Sequence, residues 1–233
     1  MMKQAVHWIL LSGSILDTIL LIRVLGLRLQ RIYLFITLDC VLGVLFDWVV
    51  FYLGWNSPES MRLIDLTRFL YAALTPLIAW DVFEELKREA SKIRWLEATR
   101  MVLSLVVMGA FSFLLLTPAI FGDTQDASAD WTAALGSYLW GAACVAATIF
   151  IWRTRRSLRK LEIRLPRNTT VWSIYYILTF FSSIAGVGIA FSTWKFDENI
   201  MNIVFTLWDI GCTIYCVVRL RGVPGQVEAE GNH

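Results

Sequence analysis

The chain has 233 residues, 57% hydrophobic and 17% charged, with 11 Trp, 14 Phe, 7 Tyr and a formal net charge of +2; its mean hydropathy is +0.60. Soluble chains carry roughly 45–50% apolar and about 25% charged residues, and one soluble core of this size could not hide so much apolar surface. The balance excludes a disordered chain, a disulfide-stapled secreted miniprotein and a nucleic-acid-binding domain, and leaves an all-α, multi-pass membrane protein.

A spanning helix needs about 20 mostly apolar residues. Seven stretches qualify: residues 6–26, 32–53, 61–83, 96–121, 131–152, 170–194 and 199–218. Barrel strands would be shorter and would alternate. The first stretch carries Asp17, and the second carries Asp39 and Asp47. The third is the least apolar, with Arg62, Asp65 and Arg68 before its uncharged run and Asp81 after it. Leu63, Ile64, Leu66, Val82 and Phe83 extend that run to spanning length, and the helix is predicted to continue towards residue 94. Pro76 removes one backbone donor and predicts a kink there. Residues 101–122, 131–152 and 168–194 contain no charge, and the seventh stretch carries Asp209. Residues 1–221 therefore read as one seven-helix domain. Residues 222–233, with Gly222, Pro224, Gly225 and Gly231, read as a mobile tail.

Lys and Arg near the span ends set orientation. The segments after the first, third and fifth spans and after the seventh hold 16 of the 21 cationic residues. The opposite side holds Lys3, Arg62 and Lys195 among Glu59, Asp123, Asp126, Asp130, Asp197 and Glu198. The N-terminus is expected outside and the C-terminus in the cytoplasm. Trp8, Trp55, Trp131 and Trp194 mark the outer interface, and Trp80, Trp95, Trp152 and Trp172 the inner one. Trp48, Trp140 and Trp208 fall deeper and are expected to pack between helices. No secretory signal is expected, because no small-residue cleavage site follows Lys3 and Asp17 interrupts the apolar run. The compactness is typical of a bacterial inner-membrane protein.

Motifs for catalysis are not found. His7 and His233 are the two histidines, too few for a His-rich zinc hydrolase, and there is no nucleotide-binding loop or nucleophile elbow. No catalytic residue, cofactor or metal is predicted. A retinal pigment would need a lysine in the middle of the last span, where Thr213 stands one turn after Asp209. Cys40, Cys144, Cys212 and Cys216 fall inside spans and read as buried free thiols. Asn168-Thr-Thr fits a glycosylation acceptor but lies on the cytoplasmic side. Ala133, Ser137 and Gly141, and Ser182, Gly186 and Ala190, form small-residue faces suited to close packing within the chain or to a homodimer. The basic run Arg153, Arg155, Arg156, Arg159 and Lys160 continues the fifth span into the cytoplasm. It reads as a topology signal touching anionic lipid, or as a docking surface for a cytoplasmic protein partner. Nucleic acid is not an expected partner.

The ionisable residues inside the spans carry the functional signal, since each costs about 2.5–3.5 kcal/mol on the insertion scale. Asp47 and Arg68 lie at similar depth below the outer ends of adjacent spans, so an ion pair is expected, with Asp65 sharing Arg68. Asp47, Asp65 and Arg68 would form an outer polar cluster, either a structural clamp or a gate. Asp17, Asp39 and Asp209 lie about 10–14 Å above the inner interface, counting 1.5 Å per residue, with no basic residue at that level. Such carboxylates hold protons or bind a cation, helped by Ser12, Ser14, Thr18, Thr37, Thr206 and Thr213. The expected function is a small proton- or cation-linked transporter. The alternative is a sensory or binding protein that signals through a cytoplasmic partner without catalysis.

Overall fold

The computed structural model describes residues 2–54, 57–86, 131–160, 162–190 and 198–222. These form six long helices: α1 (Met2–Gly26), α2 (Leu34–Leu53), α3 (Pro58–Asp81), α4 (Trp131–Lys160), α5 (Arg167–Ala190) and α6 (Glu198–Arg219). Short 3-10 turns follow α1 at Leu29–Arg31 and α3 at Glu84–Leu86, and among the described residues there is no strand. Five of the helices are long and apolar enough to cross a membrane, over His7–Gly26, Leu34–Leu53, Pro58–Asp81, Leu135–Lys160 and Arg167–Ile189. The protein is therefore all-helical and has the character of an integral membrane protein, because in a bilayer a helix satisfies its own backbone groups. α6 has 22 residues. The predicted span 96–121 lies outside the described residues.

Local chemistry sets the helix ends. Ser57 caps α3, its hydroxyl accepting from the Ser60 N–H at 3.1 Å. Pro58 occupies the first turn, where its missing N–H costs nothing. α2 ends at Gly54, whose φ of +86° is a conformation that side chains with a Cβ rarely adopt. α3 ends at Asp81, short of the predicted extension towards residue 94, and runs through Pro76 as a single element. Asp81 is needed elsewhere: its buried carboxylate accepts from the backbone N–H groups of Phe35 and Ile36. Tyr33, at the start of α2, has no capping side-chain bond of its own, so Asp81 supplies the cap from a neighbouring helix.

The helices form a closed ring of neighbours in the order α1, α2, α3, α4, α5, α6 and back to α1. α3 and α4 make the most extensive pair and run parallel. Gly136, early in α4, faces Phe69 and Arg68 of α3, while Leu158, late in α4, packs on Phe83 just beyond the end of α3. All other sequential neighbours are antiparallel. The C-terminal ends of α1, α3, α4 and α6 thus meet the N-terminal ends of α2 and α5 at one end of the bundle. Arg23, Arg159, Lys160 and Arg219 mark this as the Arg-rich end.

The core is concentrated in the half of the bundle next to that end, with Leu20, Val24, Ile36, Ile78, Ile151, Trp172 and Leu220 all fully or nearly fully buried. Two of the small residues pack within the chain: Gly141 faces Val187 of α5, and Gly186 faces Phe205 of α6. Trp172 departs from its expected place in an interfacial belt. It is 0% exposed and stacks on Tyr176, with ring centroids 5.9 Å apart. Trp48 and Trp208, expected between helices, are instead 40% and 43% exposed. Each still donates to a neighbouring helix, Trp48 to Thr18 Oγ1 at 3.0 Å and Trp208 to the Leu178 carbonyl at 3.1 Å. An indole can face lipid with its ring while its N–H stays bonded.

Candidate functional site

Asp39, Gly43 and Asp47 follow one another at intervals of four on α2 and so share one face. The two carboxylates are about 12 Å apart along the axis, eight residues at 1.5 Å each. That face meets α1, and α1 also packs against α6. Asp17 of α1 is the centre of the resulting constellation. Its Oδ1 accepts from the Thr213 hydroxyl of α6 at 3.0 Å, and its carboxyl neighbours that of Asp47. It also lies within electrostatic range of Asp39 and Asp209.

The second anchored carboxylate is Asp39, whose Oδ2 accepts from the Tyr176 hydroxyl of α5 at 2.9 Å. Tyr71 of α3 and Tyr175 of α5 stand within electrostatic range of both Asp17 and Asp39. Asp209 is near Ser182 and Asp17 but is exposed on the surface of the described helices, unlike Asp17, Asp39 and Asp47. The column therefore runs from Asp47 through Asp17 to Asp39 and Tyr176, with Asp209 at its edge. Among the described residues no Lys, Arg or His interacts with Asp39, Asp47 or Asp209. Arg23 donates its Nη2 to the Leu220 carbonyl at 2.8 Å, at the end of α6 rather than towards the column.

The expected outer cluster divides. Arg68 Nη1 meets Asp65 Oδ1 at 2.7 Å, one turn away on α3, whereas Asp47 faces α1 and Asp17. Equal depth below the outer end did not make Asp47 and Arg68 partners, because the side chains leave their helices in different directions. Among the polar neighbours, Ser12, Ser14, Thr18 and Thr37 donate to carbonyls one turn back on their own helices; Thr213 instead donates to a carboxylate. Tyr176 carries no sequence motif. Its signal is the general one that a phenol buried mid-span needs an acceptor.

The Arg-rich end has a dense polar network of its own. The last carbonyl of α6 and the two that follow it are bonded by three side chains: Arg167 Nε on Arg219, Arg23 on Leu220, and Asn168 Nδ2 on Arg221 at 2.7 Å. Asn168 Oδ1 also accepts from the Arg221 N–H at 3.1 Å. Cations and amides here satisfy carbonyls that a helix end leaves open. Nearby, Thr169 Oγ1 donates to Glu85 Oε2 at 2.8 Å and stands 3.4 Å from the Tyr33 hydroxyl. Burial and the Glu85 carboxylate hold the Tyr33 phenol well above its ordinary range, so it remains a donor. Arg153, Arg156, Arg159 and Lys160 are exposed along the end of α4, with Arg155 half-buried.

The four cysteines are free, and among the described residues no group of three His, Cys, Asp or Glu side chains is placed to hold a metal ion. Comparison with protein-family models, curated proteins and solved structures returns no match to this chain, so the geometry of the carboxylate column carries the functional reading.

Proposed function

We propose that the protein is a seven-span, proton-linked membrane transporter whose intramembrane proton site is Asp17, Asp47 and Asp39, with Asp209 at its edge. The observation that carries this reading is the approach of Asp17 and Asp47. Two carboxyl groups close together in a low-dielectric span cannot both stay ionised, so they share a proton and act as one proton-binding unit. Thr213 and Tyr176 supply neutral donors, which can stabilise a carboxylate without adding a cation. The protein is read as non-catalytic.

The seven-span count is supported by the parallel course of α3 and α4. The chain leaves α3 at the Arg-rich end and enters α4 at the opposite end, which calls for one further span between them. Residues 96–121 are apolar enough to supply it. With the Arg-rich end in the cytoplasm, the N-terminus lies outside and the C-terminus inside. The exposed Arg153, Arg156, Arg159 and Lys160 then face the anionic leaflet.

Infrared spectra of the purified protein test the proton site. A protonated-carboxyl stretching band is expected at neutral pH, diminished in Asp17→Asn and in Asp47→Asn, together with proton flux into liposomes loaded with a pH-sensitive dye. Absence of both band and flux in the parent refutes the reading. A sodium-dependent rise in melting temperature, lost in Asp39→Asn and Asp209→Asn, would assign the column to a cation instead, because a ligand stabilises the state it binds.

A further inference from the structure

The column described above stops at Asp39 and Tyr176, short of the Arg-rich end of the bundle. Between Tyr176 and that end lies Trp172, fully enclosed, with its ring centroid 5.9 Å from Tyr176 and 6.3 Å from Tyr33. Its indole N–H is buried and meets no acceptor among the described residues. An orphaned buried donor is costly and is commonly satisfied by an internal water. Beyond it the hydroxyls resume: Tyr33 stands 3.4 Å from Thr169 Oγ1 and within reach of Glu85, and Thr169 donates to Glu85 at 2.8 Å.

We propose that Tyr33, Thr169 and Glu85 form the inner port of the proton site, and that a water held by the Trp172 N–H connects this port to Tyr176 and Asp39. The inference rests on the proton-site reading and adds the route by which the site exchanges protons with the Arg-rich side. Donation runs in one sense along the port. Thr169 has a single hydroxyl proton and gives it to Glu85, so Tyr33 donates to Thr169. A proton delivered by the water to Tyr33 oxygen, and replaced on the water from protonated Asp39 by way of the Tyr176 hydroxyl, displaces the Tyr33 proton to Thr169 and the Thr169 proton to the Glu85 carboxylate. Each hydroxyl oxygen gains one O–H bond and loses one, and Glu85 leaves protonated. Uptake follows the same steps in reverse. The groups facing the port are Glu85 and Asp81, which both act on Tyr33, and the first turn of α5, to which Thr169 belongs.

A structural role for these residues is the competing explanation, since a carboxylate beside a helix N-terminus is stabilising in its own right. The full chain in liposomes distinguishes the two, with proton flux under an imposed potential read by an internal pH dye. Glu85→Gln, Thr169→Val and Tyr33→Phe are each expected to lower flux by about tenfold or more, the scale of a lost proton-transfer group. The equilibrium carboxyl band of the column should remain. Imidazole, a mobile proton carrier, should restore much of the flux to Glu85→Gln and leave the parent unchanged. Parental flux in all three variants, with the band intact, overturns the port and leaves the column standing. A loss of flux that imidazole does not restore, accompanied by a lower melting temperature, also overturns the port. A parent with neither band nor flux overturns port and column together.

Discussion

The cap that Asp81 places on α2 can be tested quantitatively. One carboxylate oxygen, Oδ2, accepts from both Phe35 and Ile36 N–H groups, and the residue is 4% exposed. Replacement by alanine leaves two donors at the first turn of α2, one buried and one part-buried, without their acceptor, at about 1–3 kcal/mol each. A loss of about 4 kcal/mol is therefore expected. Replacement by asparagine keeps an oxygen that can accept from both donors and removes only the charge. The helix-terminus contribution of a partly buried charge is up to about 2 kcal/mol, so Asp81→Asn should lose about 1–2 kcal/mol. For a chain of this size each kcal/mol corresponds to about 2–4 °C in melting temperature. In detergent, Asp81→Ala should melt about 8–16 °C below the parent and Asp81→Asn about 2–8 °C below it. If both variants stayed within about 0.5 kcal/mol of the parent, the level of an inconsequential surface change, the inter-helix cap would be wrong.

Asn168→Ala breaks both bonds to Arg221, at 2.7 and 3.1 Å. It should cost about 2–3 kcal/mol at roughly 1 kcal/mol or more per bond, read as a drop in melting temperature and faster hydrogen exchange at residues 219–222. Gly136 and Gly13 should respond oppositely to alanine. A Cβ at Gly136 would meet Phe69 Cε2 at 3.1 Å, whereas one at Gly13 would meet nothing within 4 Å. Gly136→Ala should therefore destabilise by about 1 kcal/mol, while Gly13→Ala should stabilise by up to about 1 kcal/mol through helix propensity. At alkaline pH, Tyr33 should contribute to unfolding. Its folded-state phenol is held above the ordinary value, so its contribution is complete below about pH 10 and declines above it, as the unfolded chain ionises first. Tyr33→Phe should make the stability of the protein fall less steeply above about pH 10, by up to about 1.4 kcal/mol per pH unit; a limb identical to the parent's would contradict the assignment.

Much of the architecture follows from hydropathy and charge. The ends of α2 agree with the predicted span to within two residues, because the bilayer demands about 20 apolar residues per crossing; the helix α6 lies within one residue of its predicted stretch at each end. The continuation of α4 as a helix through Arg153–Lys160 was also readable, since nothing in that run breaks a helix. Asp17 and Asp39 stood out because an ionisable residue in a span is costly wherever it sits. The end of α3 was not readable. The residues after Asp81 include helix formers, and the bonds from Asp81 to the start of α2 appear only in the tertiary structure.

What the sequence determined by itself is depth: how far along its helix each charged or aromatic residue lies. The tertiary structure decided direction and neighbour. Asp47 and Arg68 have similar depth, yet Asp47 belongs with Asp17 because it shares a helix face with Asp39 and that face meets α1. Trp172 has the depth of an interfacial residue but is enclosed, because its side of α5 faces the Tyr33 end of α2. Trp48 and Trp208 have the depth of core residues but stand partly exposed at the bundle surface. Rise along an axis is a count of residues at a fixed 1.5 Å, whereas rotation about that axis has an effect only when another helix packs against it.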